Sequence, residues 1–387
     1  MTVEADAQAP RVPLRTVARE WTRIGVTGFG GPPAHIALLR ELMVDRMSWM
    51  DAEEFQDANA ACGLLPGPAS TQLSIFCAYR VAGPMGAIVG GLGFIAPAVI
   101  LILALSLLFL SHSPPLWVRG AGAGAGAVVA AVAVHAARGL IGPSFTRARA
   151  SRVQLVRWLT YLVAGTAAAA LLGPYLVLIL LGCGLAEVIL RRGAPQLISA
   201  VVLLPGSITV GGLGALAWTA FKVGALSFGG GFVIIPLMQG DAVHTYHWMS
   251  SSQFLNAVAL GQITPGPVVA TVAAVGYAAH GLLGGLLAAA VAFSPSFSFI
   301  LIGGPRFERF RANQSARAFL DGAGPAAIGA IIGAAILLTG ALRETWQYPL
   351  LAVAAIALLT CKRGVVETLL VAGLLGTLLA LLGAPVP

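Results

Sequence analysis

Apolar residues run through this chain in long blocks rather than in alternation, and glycine and proline cut the blocks at recurring places. Four blocks, at 84–110, 281–304, 318–341 and 364–382, are long enough to cross a bilayer, since about 20 helical residues span the hydrocarbon. Shorter apolar segments carry a Phe-Gly-Gly break at 29–31 and 228–230, and a Pro-Gly-Pro break at 66–68 and 265–267. Glycine inside a helix costs about 1 kcal/mol relative to alanine, and Pro32 with Pro33 stops a helix at the first glycine pair. The pattern predicts an all-α polytopic membrane protein with broken or re-entrant helices.

The breaks repeat. At an offset of 199, Arg23 meets Lys222, Gly25 meets Gly224, Trp49 meets Trp248, Phe55 meets Phe254, and both kinds of break coincide. At 198, Tyr79 meets Tyr277, Gly83 meets Gly281, Gly86 meets Gly284 and Pro97 meets Pro295. The chain therefore divides into a tail at 1–13, a first repeat at 14–192, part of a connecting helix at 193–214, and a second repeat at 215–387. Two half-helix hairpins are expected in the first repeat, at 14–47 and 51–82, with counterparts near 215–246 and 250–279.

Composition strengthens the membrane reading. Of 387 residues, 58% are hydrophobic and only 10% charged, against about 25% charged in soluble domains. The net charge of +8 resides largely in short connections, as expected of cytoplasmic loops and not of nucleic-acid binding. The basic stretch of the first repeat falls at 138–157, whereas that of the second falls one helix earlier, at 306–317. If both are cytoplasmic, the repeats lie in opposite orientations, and the segment 194–220 is the odd span that inverts the second. Inverted repeats are common in secondary transporters, with the substrate site near the bilayer midplane. The first residues carry no signal peptide pattern. Cys62, Cys77, Cys183 and Cys361 have neither metal-ligand nor disulfide spacing, and the six histidines form no i, i+4 pair.

Broken backbone at membrane depth is tolerated only where it is buried in protein or lines water, and half-helix N-termini attract anions. The candidate substrate-binding set gathers the breaks and the polar residues beside them. From the first repeat it takes Arg23, Gly30, Gly31, His35, Pro66, Gly67, Pro68, Ser70, Thr71 and Gln72. From the second it takes Lys222, Gly229, Gly230, Gln262, Thr264, Pro265, Gly266 and Pro267. Arg23 and Lys222 form a matched pair of cations, and the hydroxyls and amides donate hydrogen bonds without adding charge. Glu41, Asp45, Asp51, Glu53, Glu54, Asp57, Asp241 and Asp321 are the carboxylates placed near membrane depth or its edge, Asp321 being a structural partner for Arg317. No catalytic residue and no cofactor is expected: the chain has no Gly-x-Ser-x-Gly, His-Glu-x-x-His, phosphate-binding loop or Cys-x-x-Cys.

The segments "FGGPPAHIALL", "LLPGPASTQLS", "SFGGGFVIIPLMQ", "GQITPGPV" and "ARAFLDGAG" resemble those of the chromate ion transporter (CHR) family, long two-domain type. The resemblance covers nearly the whole chain. It implies a bacterial inner-membrane protein that exports chromate, driven by the proton motive force, and confers chromate resistance. Asn256 departs from the pattern, standing where the resemblance leads one to expect an acid. Export of a dianion also suits an inside-negative cell, since moving two charges outward through 100 mV releases about 4.6 kcal/mol. Partners implied are chromate, protons and the lipid bilayer, with a homodimer left open and nucleic acid excluded. The alternatives are sulfate or related oxyanion uptake on the same scaffold, a membrane-embedded enzyme, and a structural subunit. The last two lack a catalytic constellation and a use for the breaks, respectively.

The opposed arrangement is open to direct test. Once the native cysteines are replaced, single cysteines introduced in the 138–157 and 306–317 connections should both resist an impermeant thiol reagent in intact cells. Labelling of just one of the two would contradict the inverted map.

Overall fold

The computed structural model describes residues 12–63, 65, 67–111, 113–192, 212–227, 232–303 and 313–387. Every regular element among them is helical. The first half runs α1 (Leu14–Thr27), α2 (Pro32–Arg40), α3 (Ala52–Cys62), α4 (Ala69–Phe109), α5 (Leu116–Ala127), α6 (Val129–Ala148), α7 (Arg152–Leu171) and α8 (Leu176–Arg192). The second runs α9 (Leu213–Ala225), α10 (Ile234–Gln239), α11 (Ser251–Ile263), α12 (Thr271–Gly303), α13 (Gln314–Gly340), α14 (Gln347–Leu359) and α15 (Val365–Leu381).

Four helical stretches are long and apolar enough to cross a membrane: Ala69–Phe109, Leu116–Ala148, Val268–Gly303 and Gln314–Gly340. The expected span at 364–382 is the shorter α15, of 17 residues. Two of the long helices are interrupted. Gly83 (φ 68°, ψ −161°) and Gly281 (φ 64°, ψ −155°) are non-helical, a conformation that glycine reaches without penalty. The chain doubles back at each. A Cβ on Gly90 would sit 2.4 Å from the Ala78 Cβ, and one on Gly276 2.4 Å from the Gly284 carbonyl. The hairpin expected at 51–82 therefore ends at Gly83, and 84–109 is the apolar stretch that remains.

Local conformations recur at the offsets read from the sequence. The π-helical turns Glu41–Arg46 and Gly240–Thr245 follow α2 and α10. Ser48 (φ 50°) and His247 (φ 52°) both adopt the left-handed region. The next amide bonds back alike, Trp49 to Met43 and Trp248 to Ala242, each at 2.8 Å. Asp51 and Ser250 then cap α3 and α11 through the amide three residues on.

Packing is exchanged between the halves. α1 lies on α4 and α9 on α12, but α13 packs against α6, α7 and α8, while α5 and α6 pack against α15 and α14. Glycines make the α7–α13 crossing possible, because a Cβ on Gly165 would lie 1.9 Å from the Ala326 carbonyl, and one on Gly329 1.9 Å from that of Leu162. Such small-residue contacts replace the hydrophobic drive that lipid cannot supply.

The basic stretch at 138–157 is helical on both sides of a short turn, with Arg147 in α6 and Arg157 in α7. Asp321 is held by Arg191 (3.0 Å) and Arg147 (3.6 Å), not by Arg317. Buried Glu187 takes Arg191 (2.7 Å), Arg157 (3.6 Å) and the Tyr161 hydroxyl (3.1 Å). The connecting segment through 211, and residues 304–312 of the second basic stretch, lie outside the described residues.

Gly329→Val should strain the α7–α13 crossing by about 1–3 kcal/mol or more, lowering the melting temperature of the purified protein. Gly139→Ala, with no atom within 4 Å of the added carbon, should leave it unchanged or higher. Equal melting temperatures for the two variants would refute the close approach.

Candidate functional site

Interrupting a helix in an apolar surrounding frees backbone groups that need partners. At the first break the Gly28 carbonyl meets this need twice. It accepts the His35 Nε2–H at 2.9 Å and the Gly266 N–H at 3.0 Å. With the proton on Nε2, His35 Nδ1 is free to accept the Ser70 hydroxyl at 3.3 Å. His35 is fully buried, edge-on to Phe94 at 5.0 Å. Three predicted site segments thus converge on one carbonyl: the Phe-Gly-Gly break, the start of α4, and the Pro-Gly-Pro turn of the other half.

A second pair of contacts is reciprocal between the halves. Gly67 (φ 121°) approaches the Gly224 carbonyl closely, with an added Cβ 3.2 Å from it and 2.7 Å from Gln72 Nε2. Gly266 (φ 101°) faces Gly25 in the same manner, at 3.7 Å. Positive φ at both positions restricts them to glycine in practice. Each Pro-Gly-Pro turn therefore rests on the first helix of the opposite half. A Cβ added to Gly31 would meet Val268 across the same seam at 3.9 Å. Pro66, Gly229 and Gly230, together with Phe228, lie outside the described residues.

The two half-helix starts of the first half differ in what they can bind. α2 opens with Pro32 and Pro33, which lack N–H groups, so its positive end presents few donors. α4 opens after Pro68 with Ala69 and Ser70, followed by Thr71 and Gln72, and their side chains are 3% exposed or less from Ser70 onward. Buried and without a hydrogen-bond partner among the described residues are Thr71 Oγ1, Gln262 Nε2, Ser227 Oγ and Gln239 Oε1. Thr264, Pro265 and Pro267 are buried beside them. Unpaired buried polar atoms cost about 1–3 kcal/mol each, so these four are the candidates for contact with a polar ligand.

The paired cations are not free. Arg23 Nε lies 3.3 Å from Glu20, which is buried and also holds Arg46 (2.5 Å) and Arg19 (3.0 Å). Lys222 lies 2.6 Å from buried Asp241, whose same oxygen accepts the Thr219 hydroxyl at 2.8 Å. At the 199 offset Thr219 stands where Glu20 does, and Asp241 where Leu42 does. The carboxylate has moved from the first helix to the π turn, while the cation has kept its place. Glu20, Glu187, Ser227 and Gln239 were not among the predicted candidates. The Glu187–Arg191 spacing of four gave a helical ion-pair signal, and Glu20 stands among Arg19 and Arg23, whereas nothing local distinguishes Ser227 or Gln239.

Removal of a partner from the buried pair should therefore hurt one half more than the other. Lys222→Gln leaves Asp241 uncompensated and should cost about 3–5 kcal/mol, recovered in large part by adding Asp241→Asn. Arg23→Gln leaves Glu20 two arginines and should be mild. Melting temperatures of the four purified proteins test this, and a Lys222→Gln variant no less stable than Arg23→Gln would overturn it.

Comparison with known proteins bears on the same segments. A family model described as chromate transporter matches residues 15–188 and again 214–380. The chromate transport protein of Cupriavidus metallidurans is 32% identical over 386 residues, covering 94% of this chain and 92% of its own length. The probable chromate transport protein of Synechococcus elongatus is 30% identical, covering 85% of each chain. The chromate transport protein of Pseudomonas aeruginosa is also 30% identical, covering 85% of this chain and 82% of its own. No solved structure matches. With both halves matched by one model and relatives aligned over most of its length, this chain belongs to the chromate transporter family.

Proposed function

We propose that this protein is a secondary transporter that exports chromate across the bacterial inner membrane, uses the membrane potential or proton motive force in an antiport cycle, and confers chromate resistance. Its two halves lie in opposite orientations, with the oxyanion bound where their breaks meet. The observation that carries this reading is the reciprocal seam: Gly67 against the Gly224 carbonyl, and Gly266 against that of Gly25. A pair of halves that each insert a Pro-Gly-Pro turn into the other's first helix fits a two-fold axis in the membrane plane.

The polar atoms at the seam suit a tetrahedral anion. The Thr71 hydroxyl and the Gln262 amide supply neutral donors in buried surroundings, where hydrogen bonds to a charged oxygen are strong. Ser70 and His35 hold the α4 start in place. Thr71 and Gln262 are buried here, while Phe29 and Gly30 of the first break are exposed, so an ion reaching the two donors requires the halves to shift at the seam. The names of the relatives supply chromate as the substrate, and an inside-negative potential favours outward movement of a dianion, which supports the export direction.

Inverted membrane vesicles containing the protein should accumulate labelled chromate, faster when the potential is inside-positive. Gly67→Val and Gly266→Val should both abolish accumulation at normal membrane level, because a branched side chain fits neither the positive φ nor the space. Preferential accumulation of sulfate, or uptake only by right-side-out vesicles, would replace chromate export by oxyanion uptake. Full activity of both valine variants would remove the seam from the mechanism.

A further inference from the structure

The α3 and α11 N-termini correspond at the 199 offset, yet their charge does not. Asp51, Glu53, Glu54 and Asp57 on α3 stand opposite Ser250, Ser252, Gln253 and Asn256 on α11. The cap is preserved, since Ser250 does for α11 what Asp51 does for α3. What the second half has lost is four negative charges. The α11 surface so neutralised faces a cavity of about 310 Å³ between α5, the end of α4 and the segment 341–347.

The cavity wall contains Arg119 and Arg343 and no Asp or Glu side chain among the described residues. Arg119 is anchored by the Val386 and Pro387 oxygens, at 2.7 and 3.4 Å. Arg343 differs: among the described residues, neither its guanidinium nor the Asn256 amide has a protein partner. Gly122 of α5 lets Asn256 lie against the helix backbone, as an added Cβ would fall 2.7 Å from its Oδ1. Gln347 fixes the opposite wall by donating to the Ala123 carbonyl (3.0 Å) and accepting from the Arg343 and Glu344 amides.

We propose that this cavity is a second anion site, separate from the seam, which binds a soluble tetrahedral dianion of the chromate or sulfate class. Arg343 supplies the planar fork of donors that suits an oxyanion, and the Asn256 amide adds neutral donors. The 13-residue α11 directs its positive end at the same space. The volume admits a five-atom ion with part of its hydration shell, a water's share being about 30 Å³. Chromate as the natural occupant, released through this cavity on the far side of the seam, rests on the export reading. Binding itself does not.

The test uses the purified full-length chain in detergent, with Cys361→Ser removing the exposed native thiol. Ser252→Cys then places a reporter at the cavity wall. Sulfate and molybdate serve as probes, because chromate oxidises thiols. At roughly ten times the dissociation constant either probe should slow maleimide labelling about tenfold, by simple occupancy, while chloride at equal ionic strength should not. Protection should be lost on adding Arg343→Gln or Asn256→Asp, neither of which should lower the melting temperature. No protection, equal protection by chloride, protection surviving both variants, or protection only by phosphatidylglycerol would overturn the proposal. Failure of chromate accumulation in vesicles with protection intact would instead remove the export reading and leave this site standing.

Discussion

Everything near the seam depends on one carbonyl. Gly28 ends α1 inside the protein, where its oxygen has no water to bond. Its two donors come from elements far apart in sequence, the imidazole of His35 and the amide of Gly266. The first orients α2 on the start of α4 through Ser70. The second fastens the opposite half. Without a side chain at Gly28 the imidazole can approach, for an added Cβ would fall 2.8 Å from His35 Cδ2.

A membrane protein cannot rely on hydrophobic collapse to join its halves, because lipid is as apolar as leucine. This chain uses interlocking. α13 sits in the first half's cradle of α6, α7 and α8, and α5 and α6 sit against the second half's α15 and α14. Glycine brings backbone to backbone where α13 meets α7 and α8 and where α5 meets α15, and charged groups pin one edge, where Arg191 joins Glu187 on its own helix to Asp321 on α13. The seam itself carries no ion pair among the described residues. Its two nearest cations are already matched with carboxylates on their own sides, Arg23 with Glu20 and Lys222 with Asp241. The buried side-chain atoms left without a partner there, Thr71 Oγ1 and Gln262 Nε2, are neutral.

Similarity between the halves is therefore a property of backbone more than of chemistry. The left-handed residues Ser48 and His247, the π turns and the paired glycine bends recur closely. Charge does not follow them. The acid of the first helix is exchanged for one on the π turn, and the acidic start of α3 for the neutral start of α11.

The sequence by itself determined the helical membrane class, the recurrence of the breaks and the glycines at which the chain must bend. Those follow from composition and from the backbone preferences of glycine and proline, which are local. It also marked Gly67, Gly266, Ser70 and His35, all of which the fold brings to the seam. It did not disclose the carboxylates paired with Arg23 and Lys222, it named Arg317 where Arg191 and Arg147 hold Asp321, and it passed over Ser227 and Gln239. Pairing is decided by distance between helices that are remote in the chain, and no spacing along the sequence encodes that Asp241 lies 2.6 Å from Lys222. The tertiary structure alone decided which polar atoms were left without a partner, because only packing removes water from a side chain and withholds a replacement.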